Sequence, residues 1–284
     1  MRDDFAVFIL THGRADTVLT KKTLDGQGYT GKIYYIVDSE DDQIEKYKAN
    51  FGAENVIVFD KQKAVDRTDT MDSFNEHRAI VYARNECFRI AKKLGLTYFL
   101  ELDDDYTRVE YRYIYGGKLK VTRQKDLDSV FDWMIDFLDA SGAKTVALAQ
   151  GGDFVGGANG GNFGKGCARK TMNSFFFRTD NPVEFRGTMN EDVVTYTTEG
   201  SRGNLFLTYT KMMIKQAPTQ SIKGGMSEAY LDGGTYLKSF YAVMSMPSAV
   251  KVGLMTSGHS RIHHRISWNN CVPKIISEKW RRHE

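Results

Sequence analysis

Three consecutive carboxylates, Asp103, Asp104 and Asp105, follow directly on the apolar run Tyr98–Leu102. Such a run reads as a buried strand, and three anions where a strand surfaces repel one another. A hard divalent cation removes that repulsion, because Mg²⁺ and Mn²⁺ prefer carboxylate oxygens. Strand alternation puts Asp103 and Asp105 on one side and Asp104 on the other. The result is an Asp-x-Asp pair at the carboxyl end of a strand, where open α/β sheets bind ligands. The bland alternative is a solvated acidic turn or a helix N-terminus.

Further polar groups are expected at that same edge. Thr11, His12, Gly13 and Arg14 follow the apolar run Phe5–Leu10, and Asp38 ends the run that starts at Lys32. Carboxyl ends of parallel strands point the same way, so these groups should share a crevice. Arg84 and Asn85 lie in a helix just before the acidic strand and are within reach of it. A carboxylate near a base edge, cations near a diphosphate and a metal bridging that diphosphate make a nucleotide-sugar site. The bland alternatives are that Asp38 caps the next helix and that Arg84 pairs with an acidic neighbour. His12 is read as loop packing.

The elements that must position these residues alternate. Strands are expected at 5–10, 32–37 and 56–59, then at 98–102. Helices are expected from a cap at Asp16 through Gln27, over 41–51 and over 78–94, with a polar connection after 59. This is a parallel sheet flanked by helices. Beyond 106 the pattern changes. Residues 108–115 alternate like an exposed strand, and Gly116-Gly117 suits a hairpin turn. Helices are expected at 127–140, 191–199 and 229–244, and strands at 145–149, 174–177 and 249–254. The stretch 150–166 is dense in glycine, which lets a backbone bend around a ligand or move as a lid. Its spacing matches neither a P-loop nor a dinucleotide fingerprint.

Asn190, Glu191 and Asp192 form a second acidic site, which is also what an N-cap with acids in the first turn looks like. His263 and His264 form a third. Read as a strand, Arg261, His263 and Arg265 share one face, while Ile262, His264 and Ile266 share the other and face the core.

Composition bounds the class. The chain has 284 residues, a formal charge of +3 and three scattered cysteines. No apolar run is long enough to span a membrane, and nothing resembles a signal peptide. Free thiols in a reducing cytoplasm are the simplest reading of the cysteines. From Lys251 onward, Lys251, Arg261, Arg265, Lys274, Lys279, Arg281 and Arg282 face only Glu278 and Glu284, so seven cations against two carboxylates leave +5. A basic tail can hold phosphates.

Four motifs occur in order: Phe-Ile-Leu-Thr-His-Gly-Arg-Ala-Asp at 8–16, Gly-Tyr-Thr-Gly-Lys-Ile-Tyr-Tyr-Ile-Val-Asp at 28–38, Tyr-Ala-Arg-Asn-Glu-Cys at 82–87 and Phe-Leu-Glu-Leu-Asp-Asp-Asp-Tyr at 99–106. Together they resemble GT-A glycosyltransferases, and more narrowly the bacteriophage TET-associated glycosyltransferases related to the GREB1 proteins. The resemblance implies a GT-A-like, Rossmann-type mixed sheet flanked by helices, folded as a single domain over 1–284. About 1–106 would bind the nucleotide sugar, and about 107–284 would bind the acceptor and carry the basic C-terminal segment. Thr11, Arg14 and Asp38 would hold the nucleoside of a UDP-sugar, with Asp38 accepting from the uracil N–H. Arg84 would face the diphosphate, Asp103 and Asp104 would complete the donor site, and Asp105 would bind Mn²⁺ or Mg²⁺ with His263. Asp192 would be the base of an inverting transfer, with Glu191 in reserve. The acceptor would be 5-hydroxymethylcytosine in phage DNA, in the host cytoplasm. The competing readings are a GT-A enzyme acting on a glycan or protein, and a non-catalytic DNA-binding protein with this fold. A sugar nucleotidyltransferase is disfavoured, since no glycine-rich basic loop follows the first strand.

Overall fold

The computed structural model describes residues 1–217, 227–256 and 260–273, and for 227–235 the backbone alone. Lys274, Lys279, Arg281 and Arg282 of the basic tail lie outside the described residues.

The N-terminal strands are β1 (Phe5–Leu10), β2 (Lys32–Asp38), β3 (Val56–Phe59) and β4 (Tyr98–Asp103). They pair in parallel, β1 with β2 and β4, and β2 with β3. The helices between them are α1 (Leu19–Gly26), α2 (Ile44–Phe51), α3 (Lys61–Arg67) and α4 (Val81–Lys93). Apolar residues on both faces of β1 and along most of β2 and β4 let these strands be buried on both sides. Phe5, Val7, Ile9, Leu100 and Leu102 enter one core layer, while Ala6, Phe8, Leu10 and Phe99 enter the other. The same alternation places Glu101 and Asp103 on the Phe99 side, under α4.

The next elements are β5 (Tyr106–Tyr115), β6 (Lys118–Arg123), α5 (Leu127–Ser141), β7 (Thr145–Ala149), α6 (Gly161–Lys165), β8 (Cys167–Ala168), β9 (Ser174–Arg178), α7 (Glu191–Ser201) and β10 (Phe206–Gln216). They extend the sheet to ten strands in the order β3-β2-β1-β4-β9-β7-β10-β5-β6, with β8 on β10. Strand β9 runs antiparallel to β4 and β7, and β10 runs parallel to β7. The sheet is therefore mixed and flanked by helices, as the resemblance to GT-A glycosyltransferases implied. A separate ribbon of β11 (Val250–Met255) and β12 (Arg261–Ile266) follows α8 (Ser227–Ser245).

Several local expectations shift. Asp16 does not cap α1. The helix starts at Leu19 with no side-chain cap, and Asp16 pairs with Lys46 instead. Helix α2 starts at Ile44 because Asp41 is drawn away to the Gly13 backbone N–H, at 2.8 Å. The polar connection after β3 contains α3, capped by Asp60, which accepts from the Lys63 N–H. The glycine-rich stretch is ordered into short turns and α6, and Asp153 bonds the Gln150 backbone N–H at 3.0 Å. Gly116 and Gly117 do form the β5–β6 turn, both with positive φ, 57° and 70°, a conformation that spares glycine the usual Cβ clash.

Candidate active site

The carboxyl ends of β1, β2 and β4 bring their polar residues to one edge. Asp104 links two of those ends. Its Oδ2 accepts from the Thr11 hydroxyl at 2.7 Å, and its Oδ1 accepts from Arg14 Nη1 at 2.7 Å. Tyr47 of α2 completes this corner, with its hydroxyl 2.9 Å from Thr11 Oγ1 and accepting from the Arg14 N–H at 2.8 Å. Thr11 and Arg14 are thus held by Asp104, in a buried charge-assisted arrangement.

Asp38 lies at the neighbouring strand end. Its Oδ2 is 2.9 Å from His12 Nδ1 and 3.5 Å from Lys61 Nζ, while its Oδ1 accepts from the Glu40 N–H at 3.0 Å. Burial pushes the Asp38 carboxyl up, but His12 and Lys61 outweigh it and hold it below the usual range. The same bond to Asp38 raises His12. His12 is therefore more than loop packing.

Arg84 occupies the centre of the site from below. It is 1 % exposed. Its Nε lies 3.1 Å from Glu191 Oε1, its Nη2 3.3 Å from Asp103 Oδ1 and its Nη1 3.5 Å from Glu101 Oε2. The guanidinium also lies over the Phe175 ring, 4.8 Å from its centroid. Burial works against its charge, but Asp103, Glu191 and Glu101 overcome that and keep it protonated. One cation for three buried carboxylates leaves excess negative charge. Burial accordingly drives Glu101 up to about 8, even though Arg84 opposes the rise. It drives Asp103 up to about 7, again against Arg84 and with help from Asp105 and Asp104. Arg84 thus faces a carboxylate shell rather than an open crevice.

Asp105 turns toward the end of β10, where its Oδ2 accepts from Gln216 Nε2 at 3.1 Å. Its Oδ1 is buried without a hydrogen-bond partner. Burial, then Asp104, raises its pKa. An orphaned buried carboxylate oxygen in an over-negative site suits a hard cation. Among the described residues no three His, Cys, Asp or Glu side chains converge as a metal cage.

Asp192 opens α7 beside Glu191. Asn190, in the left-handed region at φ 53°, sits at the N-cap without a side-chain cap bond and donates through Nδ2 to the Lys238 carbonyl at 2.6 Å. Asp192 Oδ1 accepts from the adjacent Val193 N–H, at 2.7 Å. Burial and the Glu191 charge raise Asp192, against Lys238 and Arg84. His263 on β12 lies in a different setting. Burial lowers it first, then Arg261, Lys238 and Lys170. His264, stacked on it with ring centroids 4.1 Å apart, is lowered to about 4 by burial and by His263. The charges that reach His263 are cations, so the structure does not join it to Asp105 in one ligand cluster.

Residues 5–225 match the family described as TET-Associated Glycosyltransferase. The chain belongs to the TET-associated glycosyltransferase family. It is thereby a glycosyltransferase by family, as its four motifs had suggested. No curated protein matches the chain. Among solved structures, TarS from S. aureus aligns at 14% identity and TM-score 0.41, over 75% of this chain and 36% of that one. A TarS 1–349 structure aligns at 14% identity and TM-score 0.41, over 85% of this chain and 65% of that one. Glucosyl-3-phosphoglycerate synthase from Mycobacterium tuberculosis, solved with Mn²⁺, UDP-glucose and phosphoglyceric acid, aligns at 9% identity and TM-score 0.44, over 93% and 90% of the two chains. The chain thus spans about a third of the full TarS structure it matches.

Sequence reasoning missed four residues that this family member uses to build its site. Glu101 carried a signal, since a glutamate inside an otherwise apolar central strand needs a buried cation. Lys61 and Tyr47 carried none, because their partners Asp38 and Thr11 lie far off in the chain. Gln216 lies at the end of β10, a strand whose mixed residues carry no clear sequence signal.

Proposed function

We propose that this protein moves a sugar from a nucleotide sugar, specifically a UDP-sugar, to the hydroxymethyl oxygen of 5-hydroxymethylcytosine in DNA, with inversion and with a divalent cation. The observation that carries this reading is the Arg84 hub. It ties Asp103 of the acidic strand end to Glu191, the neighbour of Asp192, and so supports reading the two acidic segments as parts of one site.

In this reading Asp38, held ionised by His12 and Lys61, accepts from the uracil imide N–H. Thr11 and Arg14, fixed by Asp104, border the nucleoside. Asp105 would hold Mn²⁺ or Mg²⁺ together with the donor phosphates, as such ions use one or two carboxylates plus substrate oxygens. When bound, the cation supplies charge neutralisation for the departing nucleoside diphosphate. Asp192 takes the proton from the acceptor hydroxyl as its oxygen bonds to the anomeric carbon and the bond from that carbon to the diphosphate breaks. Glu191 and Arg84 position Asp192 and tune it. The DNA acceptor follows from the resemblance to the phage enzymes, supported by the +5 excess after residue 250.

Nucleoside mass spectrometry tests this. Incubation with hydroxymethylated duplex, Mn²⁺ and a panel of nucleotide sugars is expected to yield hydroxymethyl-2′-deoxycytidine heavier by one sugar residue. Modification of a glycan or peptide, with none on DNA for any donor, would move the acceptor assignment to the first competing reading.

A further inference from the structure

The β5–β6 ribbon carries a surface that the sugar-transfer chemistry does not use. Residues 111–123 contain Arg112, Lys118, Lys120 and Arg123 and no acid. Cross-strand register sorts them by face. Tyr111 lies opposite Thr122, Tyr113 opposite Lys120 and Tyr115 opposite Lys118. Directly opposed residues share a face, so one side of the ribbon is a row of three tyrosines flanked by two lysines. The other side is Arg112, Ile114, Leu119 and Val121, with Arg112 lying over the Phe154 ring, 5.0 Å from its centroid. The tyrosine face is open. Tyr115 is 73% exposed, and both lysines are exposed. Neither lysine has an ion-pair partner among the described residues, whereas Arg112 pairs with Glu110 at 2.8 Å.

The ribbon is rooted rather than loose. The buried side chain of Gln27 donates to the Val109 and Gln124 carbonyls, each at 2.8 Å, and accepts from the Val109 N–H at 2.9 Å. The surface also has a boundary. Toward α5 the aromatic row continues through Tyr209 to Trp133, whose ring centroids are 4.6 Å apart. There the exposed Asp132 and Asp136 flank Trp133 on the helix, and they would repel phosphate.

We infer that the tyrosine–lysine face of the β5–β6 ribbon docks on the acceptor duplex at a distance from the modified base. This rests on the DNA reading above. An exposed cationic face without acids complements a polyanion, and a two-stranded ribbon has the width of the major groove. Lysine ammoniums and tyrosine hydroxyls are both phosphate donors. The geometry also sets the distance. Tyr115 is ten residues beyond Asp105, about 33 Å along an extended strand. That is about one turn of B-DNA, so the ribbon would grip the duplex about 10 base pairs from the base in the site.

The test separates this surface from the acceptor assignment. Binding of the full chain to an unmodified duplex of about 30 base pairs is followed by fluorescence anisotropy across a salt series. Lys118→Gln/Lys120→Gln should flatten the log–log salt slope by about 1.8, at about 0.9 per lost phosphate contact. Tyr115→Ala should weaken binding with the slope unchanged. On hydroxymethylated duplexes the lysine variant should raise KM for the long acceptor and leave KM unchanged for one truncated to about 5 base pairs on either side of the target. A wild-type slope near zero, or an unaltered slope in the lysine variant, overturns the ribbon surface even if DNA is glycosylated. A lysine-dependent slope with no transfer to any hydroxymethylated DNA sinks the acceptor reading and leaves the ribbon surface standing.

Discussion

Asp192 gives the sharpest test of the chemistry. A general base works as the anion, and burial together with the Glu191 charge raises this carboxyl from 3.8 to about 6. The rate should therefore climb with pH as Asp192 loses its proton, with an acid limb centred near 6. One unit below that midpoint about one molecule in ten carries the base, so turnover at pH 5 should be about tenfold below the plateau. Asp192→Asn should lose about 10²–10⁴ in kcat and flatten the limb. Donor binding by calorimetry should hold, because Asp192 meets the acceptor. Glu191→Gln supplies the cross-check. It removes the neighbouring anion and frees Arg84, and both changes favour ionised Asp192, so the limb should move to lower pH. Steady-state rates at saturating donor and Mn²⁺ between pH 4.5 and 8.5 read all three. An acid limb that survives unchanged in Asp192→Asn refutes the assignment of the base.

Three further outcomes follow from the same shell. Asp105→Asn should abolish nearly all transfer, and wild-type activity should be lost in EDTA and restored by Mn²⁺ or Mg²⁺; full turnover in EDTA would remove the metal role. Arg84→Met leaves Glu101, Asp103 and Glu191 without their shared cation, so urea denaturation at pH 8.5 should show a loss of about 3–5 kcal/mol, shrinking as pH falls and those groups protonate; an equal loss at all pH would point to packing alone. Glu101 is raised from 4.5 to about 8, so the native state keeps a proton that the unfolded chain releases, and stability falls as pH climbs through that window. Glu101→Gln should relieve this cost by about 1.4 kcal/mol per pH unit, seen as a denaturation midpoint that gains on wild type from pH 5 to pH 8; a constant difference would show that Glu101 is ionised throughout.

Much of the scaffold was legible in the sequence because it is local. The runs at 5–10, 32–37, 56–59 and 98–102 are apolar but for Lys32 and Glu101, and parallel strands buried on both faces need that pattern. Their carboxyl ends then had to lie on one edge, which placed Thr11, Arg14, Asp38 and Asp103–Asp105 together before any coordinates. The paired glycines at 116–117 likewise announced the β5–β6 turn. Tertiary structure decided the rest. The sequence put Arg84 within reach of the acidic strand, but nothing near it in the chain reveals that it will also meet Glu191, 107 residues away. Nothing near Asp38 reveals Lys61, and nothing near Asp105 reveals Gln216. Strand β10 mixes lysine, threonine and methionine because it is buried unevenly between β7 and β5, so its periodicity was too weak to read. Secondary structure is written in the spacing of side chains along a few residues. The charge balance of a buried site depends on which distant groups the fold places within a few ångströms, and that is a property of the closed sheet and its helices.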